Sequence, residues 1–115
     1  MTTRRAHFDD LVLDAAERLR PHLGTRYAAT EFAVQEVPPT DPAPWEEQVA
    51  PLGRLLRATA TRPDHVVVYR RPVEARAQDE QDLADIVREV VTEQVAALLG
   101  VPAHELDPDT EQDGP

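Results

Sequence analysis

Val87-Arg88-Glu89-Val90-Val91-Thr92-Glu93-Gln94-Val95-Ala96-Ala97-Leu98-Leu99-Gly100 is the stretch that decides the fold. With the residues before it, Leu83, Ile86, Val87, Val90, Val91 and Leu98 fall on one stripe at helical spacing, and Ala97 lies on its flank. A stripe of this kind makes a long helix with one buried face. Both ends are marked. Asp79 can cap the first turn, Asp82 sits where the helix dipole favours an anion, and Gly100 supplies the stop. The pattern predicts a helix over 79–99. One further turn is expected over Pro102 to Leu106. Residues 107–115, D-P-D-T-E-Q-D-G-P, carry acids and no apolar anchor, so they are expected to form a disordered acidic tail.

Working outward, His65-Val66-Val67-Val68-Tyr69-Arg70 is a nearly continuous apolar run of β-favouring residues, which suits a central strand. Pro72 is expected to end it, and Arg62-Pro63-Asp64 to make the turn before it. Leu52 to Ala58 suits a second, short strand. Thr30 to Val37 alternates, with Phe32 and Val34 on one face, and Pro38-Pro39 stops it. The Pro-rich segment 38–51 is a surface excursion carrying the only Trp, Trp45, which either pins the segment to the core or is presented for recognition. Upstream, Phe8, Leu11, Val12, Ala15, Ala16 and Leu19 form the buried stripe of a first helix over about His7 to Leu19, ended by Pro21. A short helical turn over Pro21 to Ala28 is weakened by Gly24. Helix, three strands, helix is an α+β order: a small mixed sheet of about three strands packed against two main helices, in one domain over residues 1–106.

Composition narrows the chemistry. A chain of 115 residues supports one modest core, and with 4% aromatics that core rests on aliphatic side chains. Cys is absent, which removes disulfides, thiolate ligands and a Cys nucleophile and agrees with a reducing compartment. Ser is absent too, so no Ser nucleophile exists. Four glycines provide no phosphate-cradling loop. The net charge of −10 opposes nucleic acid and anionic membrane as partners. No apolar run approaches the roughly 20 residues a membrane span needs. Arg4 and Arg5 are followed by no apolar segment, so no signal peptide is read and a cytoplasmic location is expected.

Several blocks together resemble a known family. Phe8-Asp9-Asp10-Leu11-Val12, Val34-Gln35-Glu36-Val37-Pro38, Leu52-Gly53 and above all Pro63-Asp64-His65-Val66-Val67-Val68-Tyr69-Arg70-Arg71-Pro72 are similar to segments of the minimal zincin-like metallopeptidases, small single-domain bacterial proteins. The similarity covers roughly residues 7 to 106, and Tyr69-Arg70-Arg71-Pro72 is its most specific part. The resemblance implies a zincin-like α+β fold, a zinc cofactor and peptide hydrolysis. It also implies a His-Glu-x-x-His motif on the last long helix, followed by Gly and an acidic third ligand three positions later.

The chain departs from that pattern where the chemistry lies. With Gly100 aligned, Glu93 stands for the first His, Gln94 for the catalytic Glu, Ala97 for the second His and Ala103 for the acidic ligand. Zinc needs imidazole, thiolate or carboxylate donors, and its bound water needs a base. Gln94 is no base, and Ala97 and Ala103 hold no metal. A one-residue shift puts Thr92 and Ala96 at the two His positions and misplaces Gly100, so it restores nothing. His104 and Glu105 are weak candidate ligands which, with Glu93, would make an alternative site; otherwise His104 is a solvated turn residue. His7 and His22 flank the first helix, and His65 opens a strand. Asp79, Asp82 and Asp85 form an acidic helix face, either solvated or weakly cation-binding. Arg70 and Arg71 either hold a ligand carboxylate in a groove or pair with Glu36 or the acidic helix.

The function expected from these residues is that of a family member without catalysis and without a cofactor, acting through a protein or peptide partner along the old substrate groove, with Ala96 and Ala97 filling the former metal cleft. The groove is expected along the edge of the Thr30 to Val37 strand and around Ala97. The alternatives are an active zinc peptidase with displaced ligands and a small acidic structural or regulatory protein.

Overall fold

The structure is a computed structural model and describes residues 3–39 and 51–107. Trp45 and the tail beyond Asp107 lie outside the described residues.

Helix α1 spans Arg4–Arg18. It starts earlier than the apolar stripe requires because Thr3 caps it, its hydroxyl accepting from the Ala6 amide at 3.0 Å. α1 closes at Leu19, where Pro21 offers no N–H to the Glu17 carbonyl and so cannot carry it on; Pro21 then sits in the first turn of a four-residue helix, α2 (Arg20–Leu23). A 3-10 turn over Gly24–Tyr27 leads to the first strand.

The sheet has three strands, β1 (Thr30–Gln35), β2 (Gly53–Leu56) and β3 (Asp64–Tyr69), in the order β1-β3-β2. β1 runs parallel to β3 and β2 antiparallel to it, so the sheet is mixed. β3 is central and its last four residues, Val66 to Tyr69, are all buried, as the apolar run predicts. The strand then gives way directly to helix α3 (Arg70–Arg76), where the residue pattern predicts only a stop at Pro72. Pro72 is third in α3, still within the first turn, where its missing N–H breaks no intrahelical bond.

Helix α4 spans Glu80–Leu99. The Asp79 side chain accepts from the Asp82 amide at 2.8 Å, and Gly100 closes the helix at φ 73°, a conformation that costs residues with a β-carbon about 1 kcal/mol. A 3-10 turn follows over Ala103–Glu105. α4 is more deeply buried than one stripe. Val87, Val90, Val91, Thr92, Val95, Ala96 and Leu98 are all enclosed, while Leu83 and Ile86 are only partly covered and Ala97 is exposed. The reason is that α4 packs on β2, β3, α1, α3 and the last turn together. Phe8, Val12, Val66, Val68, Val73, Val87, Val91 and Val95 form the centre of one core. Each such side chain contributes about 1.5–3 kcal/mol of burial.

Asp107 does not belong to a loose tail. It is 3% exposed, with Oδ2 at 3.2 Å from Arg18 Nη2 and 3.5 Å from Arg88 Nε. This clasp ties the segment after α4 to both long helices.

Candidate functional site

The second half of α4 lies against β2, and Gly53 lets them approach. A β-carbon on Gly53 would stand 2.5 Å from Val90 Cγ1 and 2.9 Å from the Val67 carbonyl oxygen, both far inside contact distance. The same point is 3.6 Å from Gln94 Cγ, so Gln94 flanks this junction. Four residues on, Arg57 Nη2 donates to the Ala97 carbonyl oxygen at 3.0 Å. That carbonyl belongs to the last turn of α4, where helix bonds run out and a cation is favoured. β2 therefore walls the motif positions, with Gly53 beside Gln94 and Arg57 beside Ala97.

This corrects the expected groove. β1, the Thr30 to Val37 strand, occupies the opposite edge of the sheet and packs on α1. The expected filling of the cleft also changes. Ala96 points into the core at 3% exposure, and Ala97 lies on the surface.

Glu93 and Ala97 are exposed one helical turn apart, and Gln94 is half-buried beside them. Loss of hydration around the Glu93 carboxyl, and then the Glu89 carboxylate one turn away, hold its pKa above the ordinary 4.5. Ala103 opens the 3-10 turn, and its carbonyl accepts from the amides of Leu106 at 3.0 Å and Asp107 at 3.1 Å. His104 and Glu105 stand exposed on that turn. Among the described residues no three His, Asp or Glu side chains gather closely enough to hold a metal ion, so Glu93, His104 and Glu105 form no such set. The donor set fits zinc poorly: one carboxylate, one amide and two methyl groups occupy the four motif positions.

The remaining candidates have structural partners. Arg70 is only 15% exposed; its Nε donates to Glu36 Oε2 at 3.0 Å, its Nη2 bonds Glu36 Oε1, and its Nη1 meets both Glu74 oxygens at 3.1 Å. This bidentate pairing holds Glu36 below the ordinary carboxylate pKa and raises that of Arg70. Arg71 is 71% exposed, with Nε 3.9 Å from Glu36. Asp82 Oδ2 accepts from the Gln78 amide at 2.9 Å, and Asp85 accepts from Gln81 Nε2 at 3.0 Å. The acidic face thus works chiefly in capping α4. His7 pairs with Glu80 and His65 with Glu31, each on a different part of the surface from the motif. His22 is exposed on α2.

Sequence reasoning overlooked Arg57. Its only signal is its place one residue beyond a four-residue strand, and nothing local says that the strand ends over α4.

No curated protein matches the chain significantly. The profile of one family, described as zincin-like metallopeptidase, matches residues 28–112. That range takes in the whole sheet, α4 and the motif positions, and leaves α1 outside. On a match spanning most of its length, the chain belongs to the zincin-like metallopeptidase family.

Proposed function

We propose that this chain is a non-catalytic member of its family that acts by binding a protein or peptide beside β2 and the exposed face of α4. The observation that carries the reading is the donor set at the four motif positions. Glu93 is the one residue among them able to bind a metal, and it lies beside an amide, Gln94, that cannot take a proton from water. Neither Cys nor Ser offers a substitute nucleophile. What remains is a surface walled by Gly53, Arg57, Glu93, Gln94 and Ala97, with polar groups suited to orienting a bound chain rather than cleaving it.

Metal analysis of the purified full chain tests the reading. We expect far less than one zinc per chain and no chelator-sensitive peptide hydrolysis; stoichiometric, tightly held zinc would overturn it. A constructive test is independent. Glu93→His, Gln94→Glu, Ala97→His and Ala103→Asp together should create a site that takes up one zinc. A quadruple variant that folds, by circular dichroism, yet binds no zinc would show that Gly100 is the wrong anchor for the alignment.

A further inference from the structure

We propose that the chain pairs with a second copy of itself through the groove between α1 and β1, with Leu13 of each copy seated in the groove of the other. The groove has a volume of about 310 Å³ and is lined by Arg5, Asp9, Val12, Leu13, Phe32 and Val34. It lies on the β1 side of the sheet, opposite the β2 side and the motif positions, so the contact leaves the binding face proposed above open. Its surroundings are apolar as well. Leu13 is 55% exposed and Val37 50%, and these are the exposed large hydrophobic side chains among the described residues. Leu13 stands on the α1 wall, and Val37 follows Glu36 at the end of the groove that Arg5 occupies.

Charge selects a second copy as the occupant, because the two ends of the groove differ in sign. At one end Arg5 Nη1 stands 3.7 Å from Glu36 Oε2, just past β1, while Glu36 takes its hydrogen bonds from Arg70. At the other end Tyr27, which packs on Phe32, donates to Glu17 Oε1 at 3.1 Å, and Arg20 Nη1 reaches Glu17 Oε2 at 3.3 Å. α1 therefore runs antiparallel to β1. Arg5, Asp9, Leu13 and Glu17, four residues apart, make a ridge of α1 along the groove. A twofold axis crossing this ridge between Asp9 and Leu13 lays the ridge of each copy into the groove of the other. It sets Arg5 opposite Glu17 of the partner subunit, and the symmetry makes that pair twice. Leu13 of the partner subunit then lies by Asp9, against Val12, Phe32 and Val34. Parallel ridges would instead oppose Asp9 to Asp9 and Glu17 to Glu17, a like-charge arrangement that excludes itself.

The test is sedimentation velocity on the full chain at physiological ionic strength, from low micromolar to near-millimolar concentration. Two copies each carrying −10 repel at long range, so the pairing is read at the upper end of that range. The average mass should rise from that of one chain towards twice it. Leu13→Ala should raise the dissociation constant about tenfold, since two leucines leave each contact, and Leu13→Glu should hold the chain monomeric throughout. Arg5→Glu alone and Glu17→Arg alone should each weaken pairing about threefold or more, and the two together should restore it. Glu93→Arg, the same charge change on the opposite side of the sheet, should leave it unaltered. All five positions are at the surface, and circular dichroism checks that each variant folds. A chain that stays monomeric at every concentration would overturn the proposal. So would a dimer indifferent to Leu13→Glu, an equal loss in Glu93→Arg, or a double charge variant no stronger than its single parents.

Discussion

Gly53 sets the spacing between β2 and α4. Alanine there would push against Val90 Cγ1 and the Val67 carbonyl, neither of which is the loose end of a long side chain. Gly53→Ala is expected to destabilise the fold by about 1–3 kcal/mol, the usual cost of overpacking, read from the urea midpoint. Two glutamates should respond to pH with opposite signs. Glu36 has a depressed folded pKa through its Arg70 hydrogen bonds, so its contribution is present above the ordinary value of 4.5 and is lost as pH falls through the folded value. Glu36→Gln should flatten the acid limb of a stability-against-pH curve. Glu93 has a raised folded pKa, so its contribution is present below 4.5 and lost as pH rises through the folded value. Glu93→Gln should therefore stabilise the protein at pH 7, by less than about 1 kcal/mol because the group is exposed to solvent. Urea midpoints of each variant and the parent between pH 3 and 8 check both signs. The motif substitutions were plain in the sequence at Glu93, Gln94, Ala97 and Ala103. The contact between Arg57 and the Ala97 carbonyl was not, because it joins residues 40 apart and depends on where a short strand ends.

Among the elements, α4 was the most legible. Its length, its Asp79 cap and its Gly100 stop follow from local rules, and all three hold in the structure. Asp79→Ala should cost about 0.5–2 kcal/mol in the same urea assay, with little change in helix content at 25 °C. The inner residues of α4 were harder to assign. Thr92, Val95 and Ala96 are enclosed because several elements meet there, and a single-stripe pattern cannot register the number of neighbours. α3 was missed because Pro72 reads equally as the end of a strand or as an early residue of a helix. In the helix, the Arg71 amide, which has no intrahelical acceptor in the first turn, donates to the Glu36 carbonyl at 3.0 Å. β3 was legible as central because burial on both faces requires an unbroken apolar run.

For the molecule as a whole, the α+β class followed from element order and the central place of β3 put β1 and β2 at the two edges, while which of those edges would lie against the motif end of α4 did not follow. Both arrangements would present the same alternation along each strand. The far end of the fold was equally hidden: an aspartate in an acidic terminal run gives no sign that Arg18 and Arg88 will enclose it. Asp107→Ala should leave two arginines without their shared acceptor, at about 1–3 kcal/mol, and make cleavage near Leu106 faster in limited proteolysis. The strand order also bears on how the chain acquires its structure. β2 and β3 are joined by a seven-residue connection, so their pairing closes a small loop, whereas β1 reaches β3 only after 28 intervening residues have been gathered. The β2–β3 hairpin is thus the part of the sheet with the least entropic barrier to assembly, and β1 is the strand that pairs after it. Changes in the turn at Arg62-Pro63 should then appear in the folding rate, and changes in the β1 pairing chiefly in the unfolding rate.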